Sequence, residues 1–561
     1  MIARRDVLAT VPDPDAWKMF VFRKNREWLS TRLLLDRLRA EFRLLADGAG
    51  SVIDALIRAG EVETGLVDAQ SPEAVHVASV VDQLASAVCG EAALDVSILQ
   101  SLDQLHGPPL IRCAHPEGFS FYGLNPLDFA DLAGRMHAKL RPRVAVIGIR
   151  SVGSTLGAVV AAALRARGAH AERTTVRPEG EPYHRKTSFS GQQKTWIRAK
   201  LAERSDFLVV DEGPGFSGST FLSVADALAE CGVPHSRVVL MGSRPFPLHP
   251  AGAEQARKWA RFRSCTIEYA SHTPAEAGRS LGSGAWREVL YSSRLHWPAC
   301  WVEQERIKHM SFDGKTFFKF EGFGRFGELA QHQACQLGQA ELSPRWLGFD
   351  QGYGCYEFMT GRPLANNDLN QALLSRMAEY CAFRLASFPA ENSDVKMLAT
   401  MARNNLEVEF GTGFRSFSLD VPLERPVYPD CRMLPYEWLM TGEGRVLKTD
   451  AVGHAEGHQL PGPADIAWDL AGAIIEWNLD PVAVVFFLEE YRRRSGDVPE
   501  KRVRPYLLLY AVLRMGQCRM SAASTSQLRE ARYLRSQYEW YARKVELLLR
   551  DKYVNRLLSI V

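Results

Sequence analysis

Paired cysteines are missing from this chain. Ten cysteines are spread over 561 residues, each about twenty positions or more from the next, which excludes a CxxC-type zinc ligand pair. A chain of this size can build its core without disulfides, so reduced thiols are the simpler reading. An excess of one charge is missing too. Lys plus Arg number 68 against 65 Asp plus Glu, a formal +3, too near balance for bulk charge to argue for a nucleic-acid or membrane partner. No run approaches ~20 uninterrupted apolar residues, so a spanning helix is not expected. The opening MIARRDVLATVPDPD interrupts any signal-peptide core with an acid and two prolines. Internal repeats and low-complexity tracts are absent. The expectation is a soluble cytoplasmic protein acting on small molecules, with its oligomeric state left open.

What is present is ordinary globular usage, 46% hydrophobic and 24% charged, which excludes a largely disordered chain. The length implies roughly two to four domains at ~150 residues per core. Residues 17–65 carry large apolar groups at three- and four-residue spacing between basic ones and read as packing helices, continued over 72–100. Around 106–130 Pro, Gly and aromatics break the pattern into a loop or short-strand connection. From 141 the texture becomes strand–helix alternation. VAVIGI (144–149), FLVVDE (207–212) and VVLMGS (238–243) are short apolar runs separated by helical segments, which predicts a parallel sheet. Residues 272–299 read as a connector. MSFDGKTFFKFEG then reads as a hairpin with a DG turn, followed by a helix (327–340), a strand pair (345–358) and mostly helices.

The most informative segment is FLVVDEGPGFSGSTFLSVADAL. A strand delivers Asp211 and Glu212 to the carboxyl edge of the sheet, where open α/β folds bind ligands. Ser217, Gly218, Ser219 and Thr220 lead into a helix whose first N–H groups can cradle a phosphate. Carboxylates that accept from ribose hydroxyls and a turn that holds a 5′-phosphate together suit a sugar phosphate.

VVDEGPGFSGST resembles the ribose-phosphate loop of type I phosphoribosyltransferases. It departs from that family in having Ser217 for the usual first Thr and a spacer, GPGF, one residue longer than the common three. GIRSVGSTLG is similar to the family's pyrophosphate loop, which places Arg150, Ser151, Val152 and Gly153 in the turn, with Ser154 next. HRKTSF stands where the family keeps its mobile catalytic loop, which implies that His184, Arg185 and Lys186 meet the leaving pyrophosphate. The resemblance covers about residues 105–270. It implies phosphoribosyl pyrophosphate as co-substrate, Mg²⁺ on its diphosphate, and displacement at ribose C1 carried by positioning and charge stabilisation. The DEGPG…SGS texture is also similar to loops encoded in bacterial stress-response gene clusters.

The rest of the chain resembles aminoglycoside and choline kinases, over about residues 300–561. Lys319 on a strand and Glu328 near the start of the next helix match the lysine–glutamate pair that holds nucleotide phosphates in kinase-like folds. GCYEFMTGRPL is similar to the family's strand, hinge and turn, and VLKTDAVGHAEGHQLPGPADIAWDLAGAIIEW to its metal-binding and final motifs. The resemblance implies ATP, Asp450 as a metal ligand, Asp469 as a structural acid and Asp430 as catalytic base. YPDCRMLPYEWL lacks the His-Gly that precedes the family's catalytic Asp, and Glu437, taken as a second metal ligand, stands near the expected Asn. GFGRFG (322–327) follows the lysine strand instead of preceding it.

Two isolated features carry less. His454 and His458 sit four apart in a Gly-rich stretch with no third ligand, and the arginine-rich segments near 489–506 read as solvated helix ends. The fold class expected is therefore α/β: a helical region (1–104), a parallel-sheet phosphoribosyltransferase-like domain (105–271), a connector (272–299) and a two-lobed protein-kinase-like α+β domain (300–561). The function expected is a phosphoribosyltransferase that forms or modifies a nucleoside-like small molecule, fused to a nucleotide-binding phosphotransferase-like domain. The alternative is a catalytically reduced nucleotide or ribose-phosphate sensor. Nucleic-acid binding through the basic helices at 22–43 is the weakest of the readings.

Overall fold

The computed structural model describes residues 13, 15–21, 26–95, 102–181, 184–215, 217–246, 253–268, 271–391, 393–455, 457, 459 and 461–550. They fall into two units. The first takes the described residues within 25–274 together with Gly322–Phe326; the second takes those within 1–24, 275–321 and 327–561.

The first unit begins with β1 (Arg26–Ser30), which pairs antiparallel with β2 (Leu110–Ala114). This stretch was expected to be helical. The helix starts only at α1 (Thr31–Ala46), because Ser30 caps it by accepting from the Leu33 N–H at 3.3 Å. Two further helices, α2 (Val52–Asp68) and α3 (Ala74–Val88), follow. The Pro- and aromatic-rich stretch holds α4 (Pro126–Met136), capped by Asn125 with proline in its first turn.

Strands β3 (Arg143–Ile149), β4 (His170–Val176), β5 (Asp206–Val210), β6 (Val238–Gly242) and β7 (Arg263–Thr266) form one sheet in the order β4-β3-β5-β6-β7. Every pairing in it is parallel, as the apolar runs predict. Six of the seven β3 residues and all of β5 and β6 are buried, as strands covered on both faces must be. The intervening helices are α5 (Val152–Arg165), α6 (Gly191–Ala202), α7 (Ser219–Glu230) and α8 (Ala253–Trp259).

The N-terminal helices belong to the same unit as this sheet. Arg173 on β4 is 6% exposed and forks between Glu63 on α2 (2.7 Å) and Asp82 on α3 (2.5 Å). It also donates to the Ala78 carbonyl at 3.0 Å. A guanidinium serves here because one planar fork satisfies two helices at once.

In the second unit β8 (Ala277–Ser280), β9 (Lys308–Ser311), β10 (Thr316–Phe320), β11 (Trp346–Asp350) and β12 (Tyr353–Glu357) form an antiparallel sheet ordered β11-β12-β10-β9-β8. The expected DG hairpin is β9–β10. The segment expected as a connector supplies β8 and, through Arg287, a buried ion pair to Glu530 at 2.8 Å. Helix α9 (Arg325–Gln339) lies between β10 and β11.

After β13 (Gly361–Pro363) come α10 (Gln371–Ser387) and α11 (Val395–Phe410). The short strands β14 (Pro426–Val427), β15 (Trp438–Thr441), β16 (Val446–Lys448) and β17 (Ala464–Asp465) precede α12 (Ala467–Glu476), α13 (Pro481–Ser495), α14 (Glu500–Ser524) and α15 (Leu528–Leu549). Trp438, Trp468, Trp477 and several tyrosines are fully buried in the core of this part. The described residues near the N-terminus join it: Asn405 accepts from the Phe20 N–H at 2.6 Å and donates to the Phe20 carbonyl at 3.0 Å. Among the described residues no helix is long and apolar enough to cross a membrane.

Candidate functional site

Each unit carries one candidate site. In the first, the strand order fixes the place. The chain leaves β3 toward β4 on one side and leaves β5 toward β6 on the other, so the carboxyl ends of β3 and β5 flank a topological switch point. Residues 150–154 and 211–220 follow those two ends. Gly148 and Gly153 make the first turn possible: a Cβ on Gly148 would lie 2.0 Å from the Gly153 carbonyl oxygen.

The side chain of Arg150 does not serve that loop. It is held by Asp68 at 3.0 Å and by the Thr175 carbonyl and hydroxyl, both at 3.1 Å. Ser151 precedes α5, Val152 and Gly153 are its first buried residues, and the Ser154 hydroxyl lies 2.8 Å from Thr64. The segment expected as the pyrophosphate turn thus leads directly into the buried start of α5, with the Arg150 side chain paired to Asp68. Between β4 and α6, two backbone bonds pair Glu179 with Lys186 across a short segment, both 2.8 Å. Within it Arg185 donates to the Gly180 carbonyl, while His184 and Lys186 are exposed.

Asp211 and Glu212 stand at the end of β5, half-buried. Burial pushes the Asp211 carboxyl well above its ordinary range, with the charge of Glu212 adding to it. Burial and then the charge of Glu117 push Glu212 up to about 8. Groups so displaced at a sheet crevice are what a functional site produces. Beyond them Gly218 sits at φ +59 as the residue before α7. A Cβ there would lie 2.5 Å from the Phe246 ring, so only glycine fits. Ser217 accepts from the Ser219 N–H at 3.3 Å, and Ser217, Ser219 and Thr220 are half-buried.

The shift of Glu212 carries a pH prediction. The folded chain keeps its proton up to about 8, whereas an ordinary glutamate releases it near 4.5. Between these values the folded state binds more protons, so this residue's contribution to stability falls as pH rises. Glu212→Gln is expected to leave the urea midpoint unchanged near pH 5 and to stabilise by roughly 1–2 kcal/mol near pH 8.5. The same midpoint shift at both pH values would show that Glu212 ionises normally in the fold.

The second unit holds a cavity of about 160 Å³, room for a bicyclic ring. Leu281, Phe317, Ala334 and Leu439 supply apolar wall; the charged groups that line it include Lys308, Lys319, Arg432, Glu437, Lys448 and Asp450. Lys319 Nζ lies 2.6 Å from Asp450, 3.1 Å from Glu321 and 2.9 Å from the Val452 carbonyl. Glu328 is exposed and is not among its partners. The acid that meets the lysine is Glu321, two residues along the same chain direction and so on the same face, while the helix glutamate points to solvent.

Asp450 is 19% exposed at its side chain. Burial would raise its carboxyl, but Lys319, Lys308 and His454 outweigh it and hold the group well below the usual range. Its Oδ1 is the oxygen that meets Lys319, and its Oδ2 stands 3.6 Å from His454 Nε2 and 3.8 Å from Lys308 Nζ. An ionised oxygen of this kind fits Mg²⁺, which takes few carboxylates and completes its shell with ligand phosphates and water. Among the described residues no three His, Cys, Asp or Glu side chains gather as a metal cage. The metal would therefore come in with a phosphorylated ligand.

Asp430 lies deeper, with a fully buried carboxylate outside the cavity lining. It accepts from the Tyr380 hydroxyl at 2.5 Å and pairs with Lys448 at 3.2 Å. Burial would raise it, but Lys448, His454 and Arg384 keep it below the usual range. Glu437 lines the cavity as Asp450 does and is paired with Lys448 at 3.1 Å and Arg432 at 2.7 Å. Asp469 on α12 accepts the N–H groups of Asp430 and Cys431 at 2.8 and 2.9 Å, the structural role expected of it. Burial pushes its carboxyl up to about 6 against the pull of Arg384.

His454 joins the two aspartates, with Nδ1 3.0 Å from the Asp430 carbonyl and Nε2 3.6 Å from Asp450. His458, its proposed zinc companion, lies outside the described residues. Sequence reasoning missed Lys308, Arg432 and Lys448. Only Lys448 had a signal, its place two residues before Asp450 in VLKTD.

No family model matches the chain. No curated protein matches it. Among solved structures it is similar to a choline/ethanolamine kinase family protein from Mesorhizobium loti, at 16% identity over 45% of this chain and 89% of that one, TM-score 0.32. It is also similar to an ethanolamine kinase of Plasmodium vivax, at 12% identity over 42% and 78%, TM-score 0.31. A third is an aminoglycoside phosphotransferase from Alicyclobacillus acidocaldarius, at 15% identity over 46% and 91%, TM-score 0.30.

Proposed function

We propose that the second unit is a phosphotransferase-type module that binds a nucleoside triphosphate of the ATP type. The observation that carries this reading is the cavity: apolar walls for a flat ring, with Lys319 paired to an ionised Asp450 among its charged groups. Lys319 and Lys308 would meet phosphate oxygens, and Asp450 would hold Mg²⁺, which when bound neutralises phosphate charge. Transfer would break the terminal P–O bond and form a new one to an acceptor oxygen, ADP leaving. For the first unit we propose a phosphorylated pentose of the phosphoribosyl diphosphate type, supported by Asp211 and Glu212 at the switch point. The two together would make or modify a nucleoside-like small molecule.

Calorimetric titration of the full chain with each ligand in turn, in Mg²⁺ buffer, tests both parts. Lys319→Met is expected to weaken ATP binding at least ~10-fold, about 1.4 kcal/mol, and to leave phosphoribosyl diphosphate binding as it was. Asp211→Asn with Glu212→Gln is expected to abolish the latter and spare the former. Absence of binding by the wild type overturns the corresponding half.

A second reading, nucleotide sensing without transfer, is favoured by Asp430. As a general base it would have to touch the acceptor hydroxyl, yet its carboxylate is wholly enclosed. Nucleotide binding with no labelled phosphate appearing in water or in any of a panel of alcohols would decide for sensing.

A further inference from the structure

The second unit gathers guanidinium groups at one place on its surface without giving them acids. The anchor of that place is buried. Arg287 forks onto Glu530 of α15 at 3.1 and 2.8 Å, and the same carboxylate accepts the Cys300 N–H at 3.1 Å. The chain between Arg287 and Cys300 is thereby pinned to the first turns of α15. Next to this pair Arg529 donates to the Arg294 carbonyl at 2.7 Å. Both guanidiniums stand over the Trp297 ring, at 5.6 and 5.2 Å from its centre.

Arg532 and Arg535 continue the exposed side of α15 at three-residue spacing. Among the described residues none of Arg529, Arg532 and Arg535 has a carboxylate within 4.0 Å. Arg294 has only Glu288, at 3.9 Å, which Arg279 holds at 2.8 Å. Glu303 is taken by Thr525 and the Ser526 N–H at 3.0 and 2.9 Å. Apolar side chains stand beside these charges. Leu295 is 84% exposed and Leu528 63%, each next in sequence to an arginine of the cluster. One exposed leucine is ordinary, but two beside a basic cluster and a half-buried tryptophan make a surface that calls for a partner.

Nucleic-acid phosphates would pair with the arginines and leave the leucines unused. A bilayer surface uses both: anionic headgroups meet the guanidiniums, the leucines enter the acyl boundary, and the indole sits at headgroup level. We propose that residues 294–297 and the exposed side of the first turns of α15 dock this protein on an anionic membrane surface, as a peripheral contact that spans nothing. The near-balanced charge of the whole chain conceals the patch because the patch is local. The proposal is independent of the nucleotide and pentose readings.

Flotation of the full chain with lipid vesicles in low-salt buffer tests it. Vesicles of phosphatidylcholine alone are compared with vesicles in which roughly a third of the lipid is phosphatidylserine. The wild type is expected to float with the second kind and not with the first, and to be largely released by salt of about 1 M. Arg532→Gln with Arg535→Gln is expected to weaken binding at least ~10-fold, and Leu295→Ser with Leu528→Ser to do the same. Val482→Ser, at an exposed position outside the patch, is expected to bind as the wild type does. All these positions are exposed, and circular dichroism checks the fold; should either pair fail it, Arg532→Gln and Leu295→Ser alone decide. No flotation with anionic vesicles, equal flotation with neutral ones, or full binding by the arginine pair would each overturn the proposal. Full binding by the leucine pair, with heparin displacing the protein, would assign the patch to a soluble polyanion such as a nucleic acid and overturn it as well.

Discussion

Asp469→Leu is expected to lower the unfolding free energy by about 3–5 kcal/mol, the range found when one partner of a buried charge pair is removed. The aspartate is fully buried and accepts two backbone N–H groups, those of Asp430 and Cys431, while Arg384 stands 3.6 Å away. Leucine is close in volume but accepts nothing. Each orphaned buried N–H costs ~1–3 kcal/mol, and Arg384 loses its nearest anion. The guanidinium keeps the Tyr428 and Ala451 carbonyls, at 2.8 and 2.9 Å, so it stays partly satisfied. Asp469→Asn retains one acceptor oxygen and should lose less. Urea denaturation of the three proteins orders them as wild type, Asn, Leu. An Asp469→Leu protein within about 1 kcal/mol of wild type would mean that the loop carrying Asp430 is held by something other than this carboxylate.

The second large effect belongs to the parallel-sheet unit. Arg173→Met should cost about 3–5 kcal/mol, because it strands Glu63, a carboxylate with 3% of its side chain exposed. Asp82 is 41% exposed and can be hydrated once its partner is gone. Glu63 cannot. The informative comparison is the double variant Arg173→Met with Glu63→Leu, which removes both buried charges and leaves apolar side chains behind. It is expected to recover most of the loss, giving a coupling of at least ~2 kcal/mol in a double-mutant cycle. Additive losses would show that Arg173 acts through its bond to the Ala78 carbonyl and not through the acid.

The same sites show what a single sequence discloses. The parallel sheet was legible because β3, β5 and β6 are continuous runs of branched apolar residues, and burial on both faces leaves no other solution. The place of Asp211 and Glu212 followed from it. Strand β1 was not legible, since Trp28 and Leu29 fall in phase with the helix that begins at Thr31. Strand β8, Ala-Gly-Arg-Ser, was hidden for a different reason: its contribution is backbone pairing at a sheet edge, which leaves no side-chain signature.

Within the sites, residue type pointed to Lys319 and Asp450 but not to their pairing with each other. The helix glutamate expected beside Lys319 lost to Glu321, which directly follows the strand two residues on and lies 3.1 Å from the lysine. A loop arginine such as Arg150 looks unpartnered in a sequence, and only the fold reveals Asp68 beside it. Lys448 shows the same limit from the other side, as a buried lysine reads like any of 68 basic residues.

The outermost place of β8 bears on how this protein can be cut for study. A fragment starting at residue 300 would bare the β9 edge, whose N–H and C=O groups would then be open to any passing strand. Such a piece should clump on expression, and one starting near 275 should stay dispersed. Even the longer piece would lack Met19 and Val21, which fill hydrophobic space at the far end of the chain. Excision therefore calls for grafting the leading segment back, or for working with the intact polypeptide.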